Sequence, residues 1–132
     1  MNTISFNSLI PELSVTDIEA SRHFYVDILG FVICYERPED RFIFIEYEDN
    51  QLMLEQINGN WNTGALEYPF GRGINFEMTV SDVGLLYDRV LVNGIKPFVE
   101  MERKTYKCGE ESVAQRQFLV QDPDGYLLRF VE

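Results

Sequence analysis

The sequence has little of what metal sites and redox sites are built from. Its 132 residues include one histidine, one tryptophan and two cysteines. The histidine, His23, lies inside a predicted helix, so we interpret it as a solvated helix residue. Cys34 and Cys108 match no zinc-ligand or redox spacing, and we expect both to be reduced thiols.

Positive charge is also scarce. Lysine and arginine total 11 against 22 acidic residues, which gives a formal net charge of -11 and a pI near 4.4. Such a surface repels nucleic acid and anionic membranes, and it either attracts a cationic partner or serves solubility. No apolar run reaches the roughly 18 residues of a membrane span, and no signal-peptide pattern is present. We therefore expect a cytoplasmic protein without a nucleic-acid or membrane partner.

What the sequence does contain is an internal repeat. Residues 13–18 (LSVTDI) match residues 78–83 (MTVSDV) in chemical type at every position. In each copy an alternating segment predicts a strand, and a helix of apolar periodicity follows it. We predict Thr16 and Ser81 as the helix N-caps, with Thr16 and Glu19 forming a capping box. Gly30 and Gly94 end the two helices.

Three short strands are predicted after each helix, so each half has the order β-α-β-β-β. The predicted strands span 8–15, 31–36, 41–48 and 51–57 in the first half, and 73–80, 96–101, 114–121 and 126–132 in the second. The fold class is thus α+β, a single domain over 1–132. Its modules cover about 1–57 and 73–132, joined by a linker at 58–72.

Several motifs carry a family resemblance. They are Val15-Thr16-Asp17-Ile18, Phe24-Tyr25, Leu29-Gly30-Phe31, and Asp122-Pro123-Asp124-Gly125 before a final apolar strand. Together with the tandem modules, they resemble the vicinal-oxygen-chelate superfamily, also called the glyoxalase/bleomycin-resistance/dioxygenase fold, over nearly the whole chain. The resemblance implies cupped mixed sheets. It does not fix function, because the superfamily contains both metalloenzymes and metal-free binders.

The resemblance implies metal-ligand positions on four strands. They fall on Ile10, on Asn75, on Arg129, and on Leu54 or Glu55 in the fourth strand. Only Glu55 is a plausible ligand, since isoleucine has no donor atom and arginine is a permanent cation. A divalent metal site needs about three protein ligands, so we predict no metal and no other cofactor.

A proline in the first strand, Pro11, resembles the metal-free bleomycin-resistance proteins of this superfamily. In that family the bend lets the N-terminal arm cross to a partner subunit. The resemblance therefore implies an arm-swapped homodimer with two grooves shared between subunits. The alternative is a proline in an ordinary edge strand.

Alternation along the strands predicts the chemistry of the groove. If Ile10 and Asn75 face the cavity, so do Glu12 and Glu77, and Glu55 joins them. In the alternative interpretation, the negative charges of these carboxylates are neutralised within the protein by Arg116 and Arg129. Aromatic walls suit planar rings, and Ala114 stands where some family members carry tryptophan. The predicted ligand-binding residues are Glu12, Phe31, Tyr35, Glu55, Trp61, Tyr68, Glu77, Tyr106, Ala114 and Arg116.

These features predict a protein that binds and sequesters a bleomycin-type cationic glycopeptide antibiotic without catalysis, and so confers resistance. Two alternatives stay open. One is a metal-dependent lyase, isomerase or dioxygenase of the same superfamily, using an unfamiliar ligand set with Glu55. The other is a binder of an unknown small metabolite.

Overall fold

A computed structural model describes residues 3–132, which divide after Glu67 into two compact units. Each unit contains one four-stranded mixed sheet and one main helical segment, in the order β-α-β-β-β, and the first unit has in addition a short 3-10 helix (Pro38–Asp40). The two tandem modules predicted from the repeat are therefore confirmed. No helix among the described residues is long and apolar enough to cross a membrane.

The first unit has sheet order β1-β4-β3-β2, in which β1 and β4 are parallel and the other pairs are antiparallel. A π-helical segment (His23–Leu29) continues directly from its helix. The elements are β1 (Glu12–Val15), α1 (Ile18–Arg22), β2 (Val32–Arg37), β3 (Phe42–Tyr47) and β4 (Asn50–Gln56).

The second unit repeats this topology with the order β5-β8-β7-β6, and β5 and β8 are its parallel pair. Its elements are β5 (Asn75–Thr79), α2 (Val83–Val92), β6 (Val99–Cys108), β7 (Glu111–Gln121) and β8 (Leu127–Val131). The predicted ends of the hairpin strands, 101 and 114, are wrong. Pairing continues to Cys108 and Glu111, across a tight turn in which Gly109 has a φ of 66°.

The predicted helix caps are wrong by one residue in both copies. Asp17 caps α1, its carboxylate accepting a bond of 3.0 Å from the backbone N–H of Glu19. Asp82 caps α2 in the same way through Leu85 at 3.1 Å. A carboxylate at this place also complements the positive end of the helix.

Each sheet has one face packed into an apolar core. In the first unit the helical residues Phe24, Tyr25 and Ile28 are buried, as the spacing predicted. In the second unit the ring of Tyr87 on α2 lies 5.1 Å from that of Phe118 on β7. The opposite face of each sheet carries the polar residues from which the candidate site is built.

Candidate functional site

Strand register places a set of polar side chains on one face of the second sheet. Glu77 pairs directly with Arg129, and Arg129 with Leu119, so these residues share a face. The intervening Met78 and Phe130 are buried on the other face. By the same pairing, this polar face also carries Gln117, Gln115, Glu102, Lys104 and Tyr106. The prediction that Glu77 faces away from the core is confirmed.

The centre of this face is an ion pair. Nη2 of Arg129 lies 3.3 Å from Oε1 of Glu77, with the arginine side chain 27% exposed. The guanidinium carbon is 5.9 Å from the ring centroid of Tyr106, within the range of a cation–π contact. Nε of Arg129 is buried and has no hydrogen-bond partner. Arg129 therefore neutralises the charge of Glu77 within the protein.

A chain of hydrogen bonds fixes Tyr106. Its hydroxyl donates to Oε1 of Gln117 at 3.0 Å, and Nε2 of Gln117 donates to Oε1 of Glu102 at 3.1 Å. Gln117 is only 3% exposed. Because a buried amide needs both donor and acceptor partners, this network holds the ring in one orientation. Gln117 is not among the ligand-binding residues predicted from the sequence.

A cavity of about 300 Å³ lies on this polar face, at the lower end of the range for ligand pockets. The Arg129–Glu77 pair forms its polar side. Its lining residues are Glu77, Tyr106, Cys108, Val113, Gln115 and Arg129. The cavity can thus offer a cationic donor, a carboxylate acceptor and an aromatic surface to one small group.

The corresponding face of the first sheet carries carboxylates. Glu12 pairs with Met53, and Ser14 with Glu55, so Glu12 and Glu55 lie one row apart on the same face. Burial, then repulsion from Glu55, raises the pKa of Glu12, and attraction from Arg37 lowers it in part. Oε1 of Glu55 accepts a bond of 2.9 Å from Nδ2 of Asn58. This face is therefore electrostatically suited to a cation.

The raised pKa of Glu12 predicts a pH-dependent stability. Folding disfavours the ionised carboxylate, so this penalty is present above the folded-state pKa and disappears as pH falls through it. Glu12→Gln should raise the melting temperature near pH 7, and the gain should shrink toward about pH 4. The control Glu110→Gln removes the same charge in the hairpin turn. An equal gain in both variants, measured by thermal unfolding across pH, would contradict the prediction.

An aromatic cluster adjoins these carboxylates. The ring of Tyr35 stacks on Phe44 at 5.1 Å, and Phe6 meets both edge-on, at 6.4 Å and 5.4 Å. The guanidinium of Arg37 lies 3.8 Å above the ring of Phe42. The segment before β1 is held by Gln51, whose side chain bonds to the backbone of Ser5 and Asn7. Tyr35 therefore forms part of an aromatic surface, with Phe6 lying against it.

Three predicted ligand residues do not lie on these polar faces. Phe31 is 1% exposed and packs between Tyr25 and Tyr47, so its prediction as a groove wall is wrong. Ala114 and Arg116 alternate with Gln115 and Gln117, which places them on the opposite face of β7. Arg116 instead pairs with Glu132 at 3.1 Å. The expectation that Arg116 balances the cavity carboxylates is also wrong.

The remaining two aromatic candidates are exposed. Trp61 is 83% exposed and has a φ of 63°, and Tyr68 is 62% exposed. Each presents a ring to solvent within its own unit. Their role in ligand binding stays a prediction.

The superfamily's metal does not fit the donor atoms at its implied positions. Arg129 is a cation engaged with Glu77, and Ile10 offers no lone pair. Met53 pairs with Glu12 as Arg129 pairs with Glu77, so Met53 holds in β4 the place that Arg129 holds in β8. This equivalence places the fourth-strand position at Met53, which offers a metal ion no carboxylate, and at neither Glu55 nor the fully buried Leu54. Within residues 3–132 no three His, Cys, Asp or Glu side chains come close enough to hold a metal ion.

A larger cavity, about 490 Å³, lies in the first unit beside the start of α1. Two arginines line it, Arg22 and Arg41, and Arg22 already contacts Glu19 at 3.5 Å and Glu36 at 3.2 Å. Because none of the predicted ligand residues lines this cavity, it has no part in the proposed function.

The repeated β-α-β-β-β units, each with one polar sheet face, define a fold of the vicinal-oxygen-chelate type. The comparisons identify the family. Residues 6–130 match the Glyoxalase/Bleomycin resistance protein/Dioxygenase superfamily, and the chain belongs to it. A comparison with curated proteins gives no significant match.

Solved structures of related proteins agree with this membership. A superfamily member from Vibrio splendidus 12B01 is 39% identical, with 91% of this chain and 93% of that chain covered and a TM-score of 0.42. TioX from Micromonospora sp. ML1 is 19% identical, with 96% and 98% covered and a TM-score of 0.74. A superfamily protein from Alicyclobacillus acidocaldarius is 21% identical, with 95% and 89% covered and a TM-score of 0.66. The last two support the fold alone.

Proposed function

We propose that this protein binds and sequesters a cationic aromatic antibiotic of the bleomycin type, without catalysing a reaction, and thereby confers resistance to it. The observation that carries the proposal is the pair of carboxylates Glu12 and Glu55 on one sheet face. Burial of Glu12, and then repulsion from Glu55, disfavour its ionised form and raise its pKa. A ligand cation placed between them relieves that repulsion.

Aromatic side chains of the first unit supply the second half of the proposed recognition. Tyr35 lies on the sheet and Trp61 is exposed in the segment after β4. Flat rings of a ligand stack on such side chains, and a nearby cation adds attraction to the ring face. Binding alone then removes the drug from its target, so no covalent step is required.

The metalloenzyme alternative receives less support. Arg129 stands where the superfamily places a metal ligand, and its guanidinium is paired with Glu77. A second cation at that point would be repelled. We therefore place non-catalytic binding ahead of metal-dependent chemistry.

Homodimerisation in the cytoplasm is part of this proposal. The carbonyl of Pro11 accepts a bond of 2.9 Å from the backbone N–H of Met53, so Pro11 marks the point where the arm meets the ladder. Leu9 and Phe6 before it are 83% and 57% exposed. Apolar arm residues of this kind gain burial when the arm is exchanged with a partner subunit.

Titration with bleomycin tests the proposal. We expect submillimolar binding, seen both as heat and as a change in the fluorescence of the single tryptophan, Trp61. Trp61→Ala, measured by heat, should weaken binding by about 1–3 kcal/mol if the ring stacks on the drug. Tyr87→Leu, on the helix-covered face, is the matched aromatic control and should change little. Neither heat nor fluorescence change with the parent protein would overturn the bleomycin assignment.

A further inference from the structure

The cavity of the second unit contains an arginine whose donors the protein leaves partly unused. Nε of Arg129 is buried without a hydrogen-bond partner, and Nη2 makes a single 3.3 Å contact with Glu77. A guanidinium has five N–H donors in a fixed plane, and leaving a buried one unpaired is unfavourable. The side chain as a whole is 27% exposed, so a ligand oxygen can accept from the guanidinium without breaking the contact to Glu77.

The groups around Arg129 restrict what that ligand can be. Glu77 stands beside the guanidinium and is 43% exposed, so it can accept a hydrogen bond from the same ligand. A carboxylate ligand would be repelled by Glu77, and an amidinium ligand by Arg129. The adjacent Tyr106 ring, held by its bond to Gln117, and Val113 supply a flat and largely apolar wall.

We propose that this cavity binds a planar, uncharged carboxamide. The amide oxygen accepts from the guanidinium of Arg129, the amide N–H donates to Glu77, and an attached ring lies against Tyr106. This inference goes beyond the proposed function, which uses the carboxylates Glu12 and Glu55 of the first unit. It assigns a separate, neutral ligand group to the second unit.

Three probes of the same size distinguish the possible chemistries. Benzamide has both an acceptor and a donor, benzoate has acceptors only, and benzamidine has donors and a positive charge. Titration followed through the arginine Nε–H signals should show the Arg129 signal moving with benzamide. We expect benzamide to bind at least about tenfold more tightly than either charged probe. Equal or tighter binding of benzoate or benzamidine would overturn the assignment.

Variants test whether Arg129 is the group that binds. Arg129→Met should weaken benzamide binding at least about tenfold. Methionine suits the position because Met53 stands at the equivalent place in β4 of the first unit. Tyr106→Leu should weaken binding without removing charge. Arg103→Met, on the opposite face of β6, is the control and should leave binding unchanged. Benzamide affinity that survives both Arg129→Met and Tyr106→Leu would overturn the proposal.

The result is separable from the bleomycin titration. Benzamide carries no cation and addresses only the second unit. Benzamide binding through Arg129 with no bleomycin binding would uphold the amide site and refute the proposed drug. Bleomycin binding with no benzamide binding would refute the amide site alone.

Discussion

Gly125→Ala should destabilise the second unit by about 3 kcal/mol or more, because two penalties act together. Gly125 has a φ of 92°, where a side chain is strained. A Cβ atom there would lie 2.6 Å from Cα of Pro69. That atom belongs to the backbone and cannot rotate away. The segment is also tied in place, since the N–H of Phe70 donates to the carbonyl of Asp124 at 2.8 Å.

Gly109→Ala is the matched control for this prediction. Gly109 also has a positive φ, 66°, but no atom lies within 4 Å of the position a Cβ would take. Only the backbone penalty applies, so the expected loss is about 1–2 kcal/mol. Urea denaturation of both variants measures the difference. Equal losses would mean that Pro69 gives way and that the close approach has little cost.

The topology could be predicted because the repeat carries it. Each copy contains one strand, one helix and three strands, and the burial of alternate residues in β1 and β5 fixes their inward and outward faces. This is why Glu12 and Glu77 were placed correctly on polar faces. Helix caps were misplaced by one residue because a hydroxyl and a carboxylate stand side by side in both copies, and either can cap.

The long hairpin escaped prediction for a physical reason. Residues 102–113 are polar on both faces and mostly exposed, so no apolar alternation marks them as strands. Backbone hydrogen bonds between the two strands hold them together, and such bonds produce no periodic pattern of apolar residues in the sequence. Polar hairpins of this kind are visible only once the partner strand is known.

The errors in the candidate site differ in kind. The face of Arg116 was available from sequence, since Arg116, Phe118 and Val120 alternate and the last two are apolar core residues. Phe31 directly follows the left-handed Gly30 that ends the helical segment, and the turn carries its ring inward between two tyrosines. The network of Gln117 could not be predicted, because it depends on Tyr106 and Glu102 from another strand.

Removing both carboxylates of the first unit should weaken bleomycin binding by about 1–3 kcal/mol, roughly 5-fold to 150-fold. In the double variant Glu12→Gln, Glu55→Gln the ligand cation loses both counter-charges. Part of the attraction is screened by salt, so the parent should bind less tightly as salt rises and the variant should respond less. Binding by the parent should also weaken at acid pH, because protonation of Glu12 removes one of the charges.

Glu77→Gln is the control for this last prediction. It removes one carboxylate from the second unit, but that carboxylate is already paired with Arg129. Its loss should therefore cost less than the loss of Glu12 and Glu55, whose repulsion Arg37 offsets only in part. Calorimetric titration of the three proteins at two salt concentrations makes the comparison. A larger loss of bleomycin affinity in Glu77→Gln than in the double variant would place the cation site in the second unit. Net charge alone would predict the opposite order, because the double variant removes two carboxylates and Glu77→Gln removes one.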